Sequence, residues 1–246
     1  RDPARKIGKY KERKSCLCPA HNGIAGCPDF IGTGDLGVVG GIVHVFGIVV
    51  AQLIQLAEHF GSQLNPFKGT SGPQGREVSW CRYGRILEER PVFTLDPLFH
   101  AGAYYVQDSS SMFVGYAFRE FLKDFPKPAS RPLRVLDLCA APGGKTTDLA
   151  SSLREACGDD FLLVANEVMK ARVGVLADNV AIWGDPNVVV TTDDPRAFQA
   201  LPGFFDIVVT DVPCSGEGMF RKDEEAQRQW SEDNVALCES RQRRIL

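Results

Sequence analysis

Short apolar runs alternate with amphipathic stretches along the second half of the chain. Residues 161–165, 187–191 and 204–209 are rich in branched and aromatic side chains, which favour strands. Between the first two runs, apolar residues recur at spacings of three and four, which predicts a helix that Gly184 ends. These helical positions are Val173, Leu176, Val180 and Trp183. Strands that alternate with helices predict a doubly wound α/β fold, in which helices cover both faces of a mainly parallel sheet.

A glycine-rich turn is predicted where the first strand of this sheet meets a helix. Residues 136–146 read LDLCAAPGGKT, and the helical pattern that follows places Leu149 and Leu153 on one side. A phosphate-binding P-loop needs a glycine five residues before the Gly144-Lys145-Thr146 triplet, but Cys139 stands there. The small residues instead predict a dinucleotide-type turn that a ligand approaches closely.

Carboxylates follow the next three predicted strands. Glu167 comes after residues 161–165, at the position where such folds hold ribose hydroxyls. Asp194 lies in the turn after the third strand, where it suits an adenine amino group, and Asp211 follows the fourth. Because these features share one sheet edge, they predict an adenosyl ligand. The candidate cofactor-binding residues are Cys139, Ala140, Ala141, Pro142, Gly143, Gly144, Lys145, Glu167, Asp194 and Asp211.

The tetrapeptide Asp211-Val212-Pro213-Cys214 places a carboxylate and a thiol together where a strand ends. Ligands of open α/β sheets sit outside the carboxyl ends of the strands, so this position predicts a reaction centre. Gly216 and Gly218 let the following loop approach a ligand. Taken alone, the Pro-Cys pair is more typical of a buried cysteine beside a turn proline, and the glycine-rich segment at residues 136–146 favours the reaction centre instead.

Four ordered motifs, DLCAAPGGKT, ANEV, TDDP and DVPCSGEGMFRKD, resemble those of the RNA cytosine-C5 methyltransferases of the NOL1/NOP2/Sun group. Upstream segments that start at Asn65, Arg85 and His100 are also similar to that family, so the resemblance covers the chain from about Asn65 onward. It implies a Rossmann-like methyltransferase core, S-adenosylmethionine as cofactor, RNA as partner, most often ribosomal RNA, and 5-methylcytosine as product.

The chemistry of such a reaction requires a thiol, an acid and a cation. C5 of cytosine is a poor nucleophile, so a thiolate adds at C6 while a carboxyl group holds the N3 and N4 edge of the base. Asp211 suits the base edge, and Lys145 supplies positive charge nearby. From the residues alone, Cys214 is the candidate nucleophile. The resemblance implies instead that Cys214 helps to release product, and that the attacking cysteine lies in a Thr-Cys pair after the next strand.

The chain departs from the family pattern at this point, because no Thr-Cys dipeptide occurs in it. The helix predicted after Ser231 runs to Leu246, so we expect these residues to be part of a longer protein. Two other hypotheses stay open. One is a noncatalytic RNA-binding or assembly protein that retains the cofactor site. The other is a DNA-type mechanism with Cys214 as nucleophile, which the extended resemblance disfavours.

Composition agrees with a cytoplasmic enzyme and adds candidate RNA contacts. A chain of 246 residues with 44% hydrophobic content can bury a full core, and eight cysteines without close pairing indicate a reducing compartment. The net charge of −3 argues against nucleic acid, but phosphate contacts need only a local basic patch. The candidate patches are residues 1–14, which also suit a solvated tail, and Arg221 with Lys222. We expect no obligate protein partner.

The first 61 residues resemble the family poorly. Cys16, Cys18, His21 and Cys27 lack a usual zinc spacing, so we predict thiols and no metal site. Residues 36–57 carry no charge and are long enough to consider a membrane span, but their glycines, His44 and two glutamines favour a buried or irregular segment. We therefore expect no membrane association.

A linker is predicted at residues 127–132, where Pro and Ser interrupt the pattern. It divides the chain into a poorly matched region, residues 1–61, a smaller α+β region that presents RNA, residues 62–129, and the methyltransferase core, residues 130–246. The core is expected to be incomplete at its C-terminal end.

Overall fold

The computed structural model describes residues 60–68, 72–216, 220 and 224–245, all within one compact unit that covers Val38–Leu246. Four of the sequence predictions fall on other residues. The cysteine and histidine group, residues 36–57, the basic residues 1–14, and Arg221 with Lys222 lie outside the described part of the chain. Among the described residues, no helix has the length and apolar character needed to cross a membrane.

The upstream region forms an antiparallel sheet of four short strands. These are β1 (Phe60–Leu64), β2 (Arg76–Val78), β3 (Cys81–Ile86) and β4 (Tyr104–Asp108), in the spatial order β2-β3-β1-β4. A short helix, α1 (Pro97–His100), precedes β4, and Asp96 caps it by accepting from the Leu98 backbone N–H at 2.9 Å. Leu64 and Tyr104 are buried on this sheet.

The downstream region is a parallel sheet. Its strands are β5 (Leu133–Asp137), β6 (Phe161–Asn166), β7 (Val188–Thr191) and β8 (Ile207–Val209), in the spatial order β7-β6-β5-β8. The chain first adds strands on one side of β5 and then adds β8 on the other side. The carboxyl ends of β5, β6 and β8 therefore meet at a topological switch point, the usual place for a ligand in this fold class. The doubly wound α/β prediction is confirmed.

The described residues contain five further α-helices: α2 (Met112–Asp124), α3 (Gly144–Cys157), α4 (Lys170–Trp183), α5 (Glu224–Gln229) and α6 (Glu232–Ile245). They also contain two 3-10 helices, Phe93–Leu95 and Pro195–Ala200. Two predicted helix boundaries are confirmed. Gly184 ends α4 in a left-handed conformation with φ of 80°, which a glycine adopts at little cost. Ser231 caps α6, because its Oγ accepts from the Asn234 backbone N–H at 3.2 Å.

Both faces of the parallel sheet are covered by apolar side chains. On one face, Leu149 and Leu153 of α3 pack with Val135. Leu176 and Val180 of α4 pack with Ala165 on that same face. Leu136 and Val164 point to the opposite face, where Phe198, Phe205 and Ile245 of α6 pack against them. Helix α2, which lies upstream of the predicted linker, adds Phe118 and Leu122 to the first of these clusters. The upstream and downstream regions therefore share one apolar core.

Buried polar contacts also join the two regions. Gln63 Nε2 and Arg119 Nη1 both donate to Asp148 Oδ1 of α3, each at 3.1 Å. Asn65 Nδ2 donates to the Gly102 and Trp183 carbonyl groups, each at 3.0 Å. Buried polar groups must find partners, so these bonds fix how the upstream sheet sits on the helices that carry the site.

Candidate functional site

The turn at residues 138–143 links β5 to α3 and is tied to both neighbouring strands. The Leu138 N–H donates to the Val209 carbonyl at 2.9 Å, and the Ala140 N–H donates to the Asn166 carbonyl at 2.8 Å. Gly143 has φ of 114°, a conformation that favours glycine, so the sequence places it where the backbone requires it. The peptide bond between Ala141 and Pro142 is cis.

The upstream sheet reaches this turn. A Cβ atom on Gly144, the first residue of α3, would lie 2.7 Å from Gln107 Oε1 and 3.0 Å from a ring carbon of Tyr105. Gln107 also donates to Gln63 Oε1 at 2.5 Å. The glycine at this position therefore lets a β4 side chain pack directly against the helix N-terminus.

Lys145 and Asp211 form an ion pair across the switch point. Lys145 Nζ lies 2.6 Å from Asp211 Oδ2, and the two side chains are 26% and 49% exposed, respectively. The first turn of α3 supplies the lysine, and the loop after β8 supplies the aspartate. The structure thus brings together two of the three candidate catalytic residues and leaves the carboxyl group partly open to solvent.

The two cysteines near this pair differ in environment. Cys214 is exposed, and the carbonyl group of its neighbour Pro213 accepts from Gln242 Nε2 of α6 at 2.9 Å. Cys139 is half-buried, and burial, followed by the charges of Asp137 and other nearby acids, raises the pKa of its thiol to about 12. Cys139 is therefore neutral near pH 7, so its side chain is not an ionised nucleophile there.

Glu167 is almost fully buried just beyond β6. Its side chain is 4% exposed, its Oε1 accepts from the Met169 N–H at 2.9 Å, and its Oε2 lies 3.3 Å from Arg172 Nη1. A buried carboxylate requires partners of this kind. The contacts hold the side chain of Glu167 at the edge of the sheet, next to the turn at residues 138–143.

The Asp194 side chain makes its contacts within its own loop. It caps the 3-10 helix Pro195–Ala200, accepts from the Arg196 backbone N–H at 3.0 Å, and pairs with the Arg196 guanidinium at 2.9 Å. The guanidinium lowers the pKa of the Asp194 carboxyl to about 2, so it is ionised at neutral pH. An adenine amino group at Asp194, as predicted, would share this carboxylate with Arg196.

Two polar residues of the site were not predicted from the sequence. Asp137 ends β5, is 2% exposed, and accepts from Thr146 Oγ1 at 2.7 Å, while burial raises its pKa to about 6. Asn166 ends β6, is fully buried, and bonds to residues of the turns after β5 and β7. In both cases the sequence feature that could have predicted the residue is a polar side chain at the end of an apolar strand. Within the described ranges, no group of three or more side chains suits a metal ion.

Comparisons with known proteins agree on one family. A family model described as 16S rRNA methyltransferase RsmB/F matches residues 126–246. The chain is 34% identical over 209 residues to the ribosomal RNA small subunit methyltransferase F of Pectobacterium atrosepticum, and 36% identical over 210 residues to that of Klebsiella pneumoniae. Each alignment covers 83% of this chain and 39% of the relative, so the chain spans about two fifths of the length of these proteins.

A solved structure supports the fold. The methyltransferase homolog protein from Pyrococcus horikoshii superimposes with a TM-score of 0.58 at 25% sequence identity, and the match covers 80% of this chain and 62% of that one.

Proposed function

Because the chain belongs, through residues 126–246, to the RsmB/F family of 16S rRNA methyltransferases, we propose that it methylates C5 of cytosine in ribosomal RNA with S-adenosylmethionine as methyl donor. The observation that carries this proposal is the Lys145–Asp211 pair at the switch point of the sheet, with the exposed Cys214 three residues after Asp211 in the same loop.

The turn at residues 138–143 and Glu167 fit the methyl donor. The left-handed Gly143 keeps side chains away from the backbone of the turn, and the N-terminus of α3 suits the carboxylate of the methionine part. Glu167 is held by Met169 and Arg172 at the strand end, where an acid accepts from ribose hydroxyls. When bound, S-adenosylmethionine supplies the methyl group.

Asp211 and Lys145 are proposed to act on the base. The half-exposed Asp211 carboxyl group is available to hydrogen-bond the N3 and N4 edge of cytosine, which makes C6 more open to attack by a thiolate. Lys145, at 2.6 Å, orients that carboxyl group and contributes positive charge where electron density accumulates during the addition.

Cys214 is proposed to help release the product. Its thiol is exposed in the loop that begins at Asp211, so it is able to approach a base held by that carboxyl group. An attacking cysteine and a releasing cysteine give opposite outcomes when removed. Loss of the releasing thiol leaves the covalent RNA–protein adduct trapped, whereas loss of the attacking thiol prevents the adduct from forming.

The deciding experiment incubates small-subunit ribosomal RNA with S-adenosylmethionine and the full-length protein that contains these residues. We expect Cys214→Ala to accumulate an RNA–protein complex that survives denaturing electrophoresis, and Asp211→Ala to prevent it. If Cys214→Ala binds the cofactor but yields neither adduct nor product, Cys214 is the nucleophile and the releasing role is wrong. Cofactor binding without any methyl transfer by the unsubstituted protein would favour a noncatalytic RNA-binding role instead.

Calorimetry tests the cofactor site separately. Glu167 is buried and its charged hydrogen bonds are worth about 1.5 to 3 kcal/mol each, so Glu167→Ala should weaken S-adenosylmethionine binding at least tenfold. Asp194→Ala should weaken it as well. Unchanged affinity in both variants would contradict the proposed site.

A further inference from the structure

One face of α4 lies against the turn at residues 138–143. Arg172, Leu176 and Asn179 are four and three residues apart, so they occupy the same side of the helix. Leu176 is fully buried and packs with Ala140 and Ala141. Its Cδ1 is also the nearest atom to a Cβ built on Gly143, at 3.3 Å. We call Arg172, Leu176 and Asn179 the α4 strip.

The polar members of the α4 strip bind two consecutive carbonyl groups of the turn. Arg172 Nη2 donates to the Ala141 carbonyl at 2.5 Å, and Asn179 Nδ2 donates to the Pro142 carbonyl at 2.8 Å. Backbone carbonyl groups of a turn that lie outside a helix or strand ladder need partners from elsewhere. Helix α4 therefore holds the backbone of the turn through side chains.

Arg172 binds a second group at the same time. Its Nη1 lies 3.3 Å from Glu167 Oε2, while Nη2 donates to Ala141. A guanidinium is planar and presents its N–H groups in a fixed fork, so the two acceptors are held at a defined separation. One side chain thus sets the position of the candidate ribose acceptor relative to the turn.

We propose that Arg172 is a positioning residue for the methyl donor: its guanidinium fork aligns the Glu167 carboxylate with the turn, and Asn179 completes the support at Pro142. This inference rests on the proposed function, because it assigns the two aligned groups to one cofactor. Arg172 acts through Glu167 and the turn. Its removal should therefore weaken cofactor binding without changing the reacting groups at Lys145 and Asp211.

The test is a double-mutant cycle by calorimetry with S-adenosylmethionine. Arg172→Gln should bind about tenfold more weakly than the unsubstituted protein, as expected for one lost charged hydrogen bond. If Arg172 acts through Glu167, the double variant with Glu167→Gln should lose much less than the two single losses combined. Arg172→Lys keeps the charge but not the fork, so it should recover only part of the affinity.

Lys170→Gln is the matched control, because Lys170 is an exposed cation in the first turn of the same helix. It should bind S-adenosylmethionine like the unsubstituted protein. Far-UV circular dichroism of every variant checks that the fold is retained. In the full-length enzyme, Arg172→Gln should raise KM for S-adenosylmethionine while kcat stays within about twofold, a split that general destabilisation does not produce.

The outcomes separate the two proposals. If Arg172→Gln is folded and binds as tightly as the unsubstituted protein, or if its loss adds fully to that of Glu167→Gln, the positioning role is wrong while the cofactor site stands. If the unsubstituted protein does not bind S-adenosylmethionine, the proposed function is wrong, and the positioning role of Arg172, which depends on it, is wrong as well.

Discussion

Both polar atoms of the Asn166 side chain form hydrogen bonds inside the protein. Its Nδ2 donates to the Leu138 carbonyl at 3.3 Å and to the Asp193 carbonyl at 3.0 Å. Its Oδ1 accepts from Thr191 Oγ1 and from the Asp193 N–H, each at 2.9 Å. One amide therefore joins the ends of three strands that border the candidate site. The relative positions of these strand ends depend on Asn166, a fully buried residue.

Substitution of Asn166 should be costly. Asn166→Ala leaves buried donors and acceptors without partners, so we expect the free energy of unfolding to fall by about 2 to 3 kcal/mol, measured by urea denaturation. Asn187, which also donates to two backbone carbonyls but is only half-buried, is the matched control. Asn187→Ala should lower the free energy of unfolding by less, because water can reach the backbone carbonyl groups that lose their hydrogen-bond donor. Equal losses in the two variants would contradict the importance of burial here.

Asp148 makes stability depend on pH. Burial outweighs the nearby Arg119 charge and raises the pKa of the Asp148 carboxyl from 3.8 to about 6. The folded state holds the Asp148 proton up to a higher pH than the unfolded state does. The contribution of Asp148 to the free energy of unfolding is therefore favourable below about pH 4 and is lost as pH rises through about 6. The loss corresponds to roughly 3 kcal/mol at neutral pH.

Asp148→Asn should remove this dependence. The amide oxygen still accepts from Gln63 and Arg119, and the group no longer ionises. Urea denaturation at several values between pH 4.5 and 7 should show a smaller decline in stability for the variant than for the unsubstituted protein. Parallel pH profiles would show that Asp148 does not titrate in this range.

At the scale of elements, α2 and α3 approach closely because Gly115 lacks a side chain. A Cβ on Gly115 would lie 1.9 Å from Asp148 Oδ2, whereas a Cβ on Gly174 of α4 would meet nothing within 4 Å. Both glycines lie inside helices, so the intrinsic helix propensity favours alanine at both. The packing of the two helices decides which substitution the protein tolerates.

These two glycines provide a paired test. Gly115→Ala should destabilise the protein by about 1 to 3 kcal/mol through overpacking, and Gly174→Ala should stabilise it by about 0.5 to 1 kcal/mol. Thermal unfolding followed by circular dichroism measures both. A stable Gly115→Ala variant would mean that α2 and α3 can move apart without loss.

The elements of the parallel sheet were predictable because their patterns are local. Residues 161–165 and 187–191 correspond to β6 and β7, and Gly184 ends α4 as its position indicates. The juxtaposition of Lys145 and Asp211 follows from the switch-point rule for such sheets. The partners of Asn166 and Asp148, and the bond from Arg172 to Ala141, were not predictable, since they join residues distant in sequence that only the packed fold brings together.

At the scale of the whole molecule, the two sheets are expected to unfold together. Phe118 of α2 sits in the core of the parallel sheet, and Gln63 of β1 donates to Asp148 of α3. Asn65, which is 1% exposed, bonds to the carbonyl group of Trp183 at the end of α4. Neither sheet keeps its buried contacts when the other is lost, which is the condition for a cooperative transition.

Tryptophan fluorescence can test this cooperativity. Trp80 packs with the upstream sheet, and Trp183 is buried at the end of α4. In two single-tryptophan variants, which keep Trp80 or Trp183 and lack Trp230, urea denaturation should give the same midpoint for both reporters and for far-UV circular dichroism. Separate midpoints would show that the upstream sheet melts independently of the parallel sheet.

The cysteines of the described residues lie at graded depths. Cys214 is exposed, Cys139 and Cys157 are half-buried, and Cys81 and Cys238 are buried, all without disulfides. Among these five cysteines, a thiol-modifying reagent under native conditions therefore reacts with Cys214 first. It reaches Cys81 only when the upstream sheet opens locally, and Cys238 only when α6 does. The rate of thiol modification therefore reports on different parts of the protein. Cys214 reports on the loop of the candidate reaction centre, and the buried cysteines report how often the elements around them open.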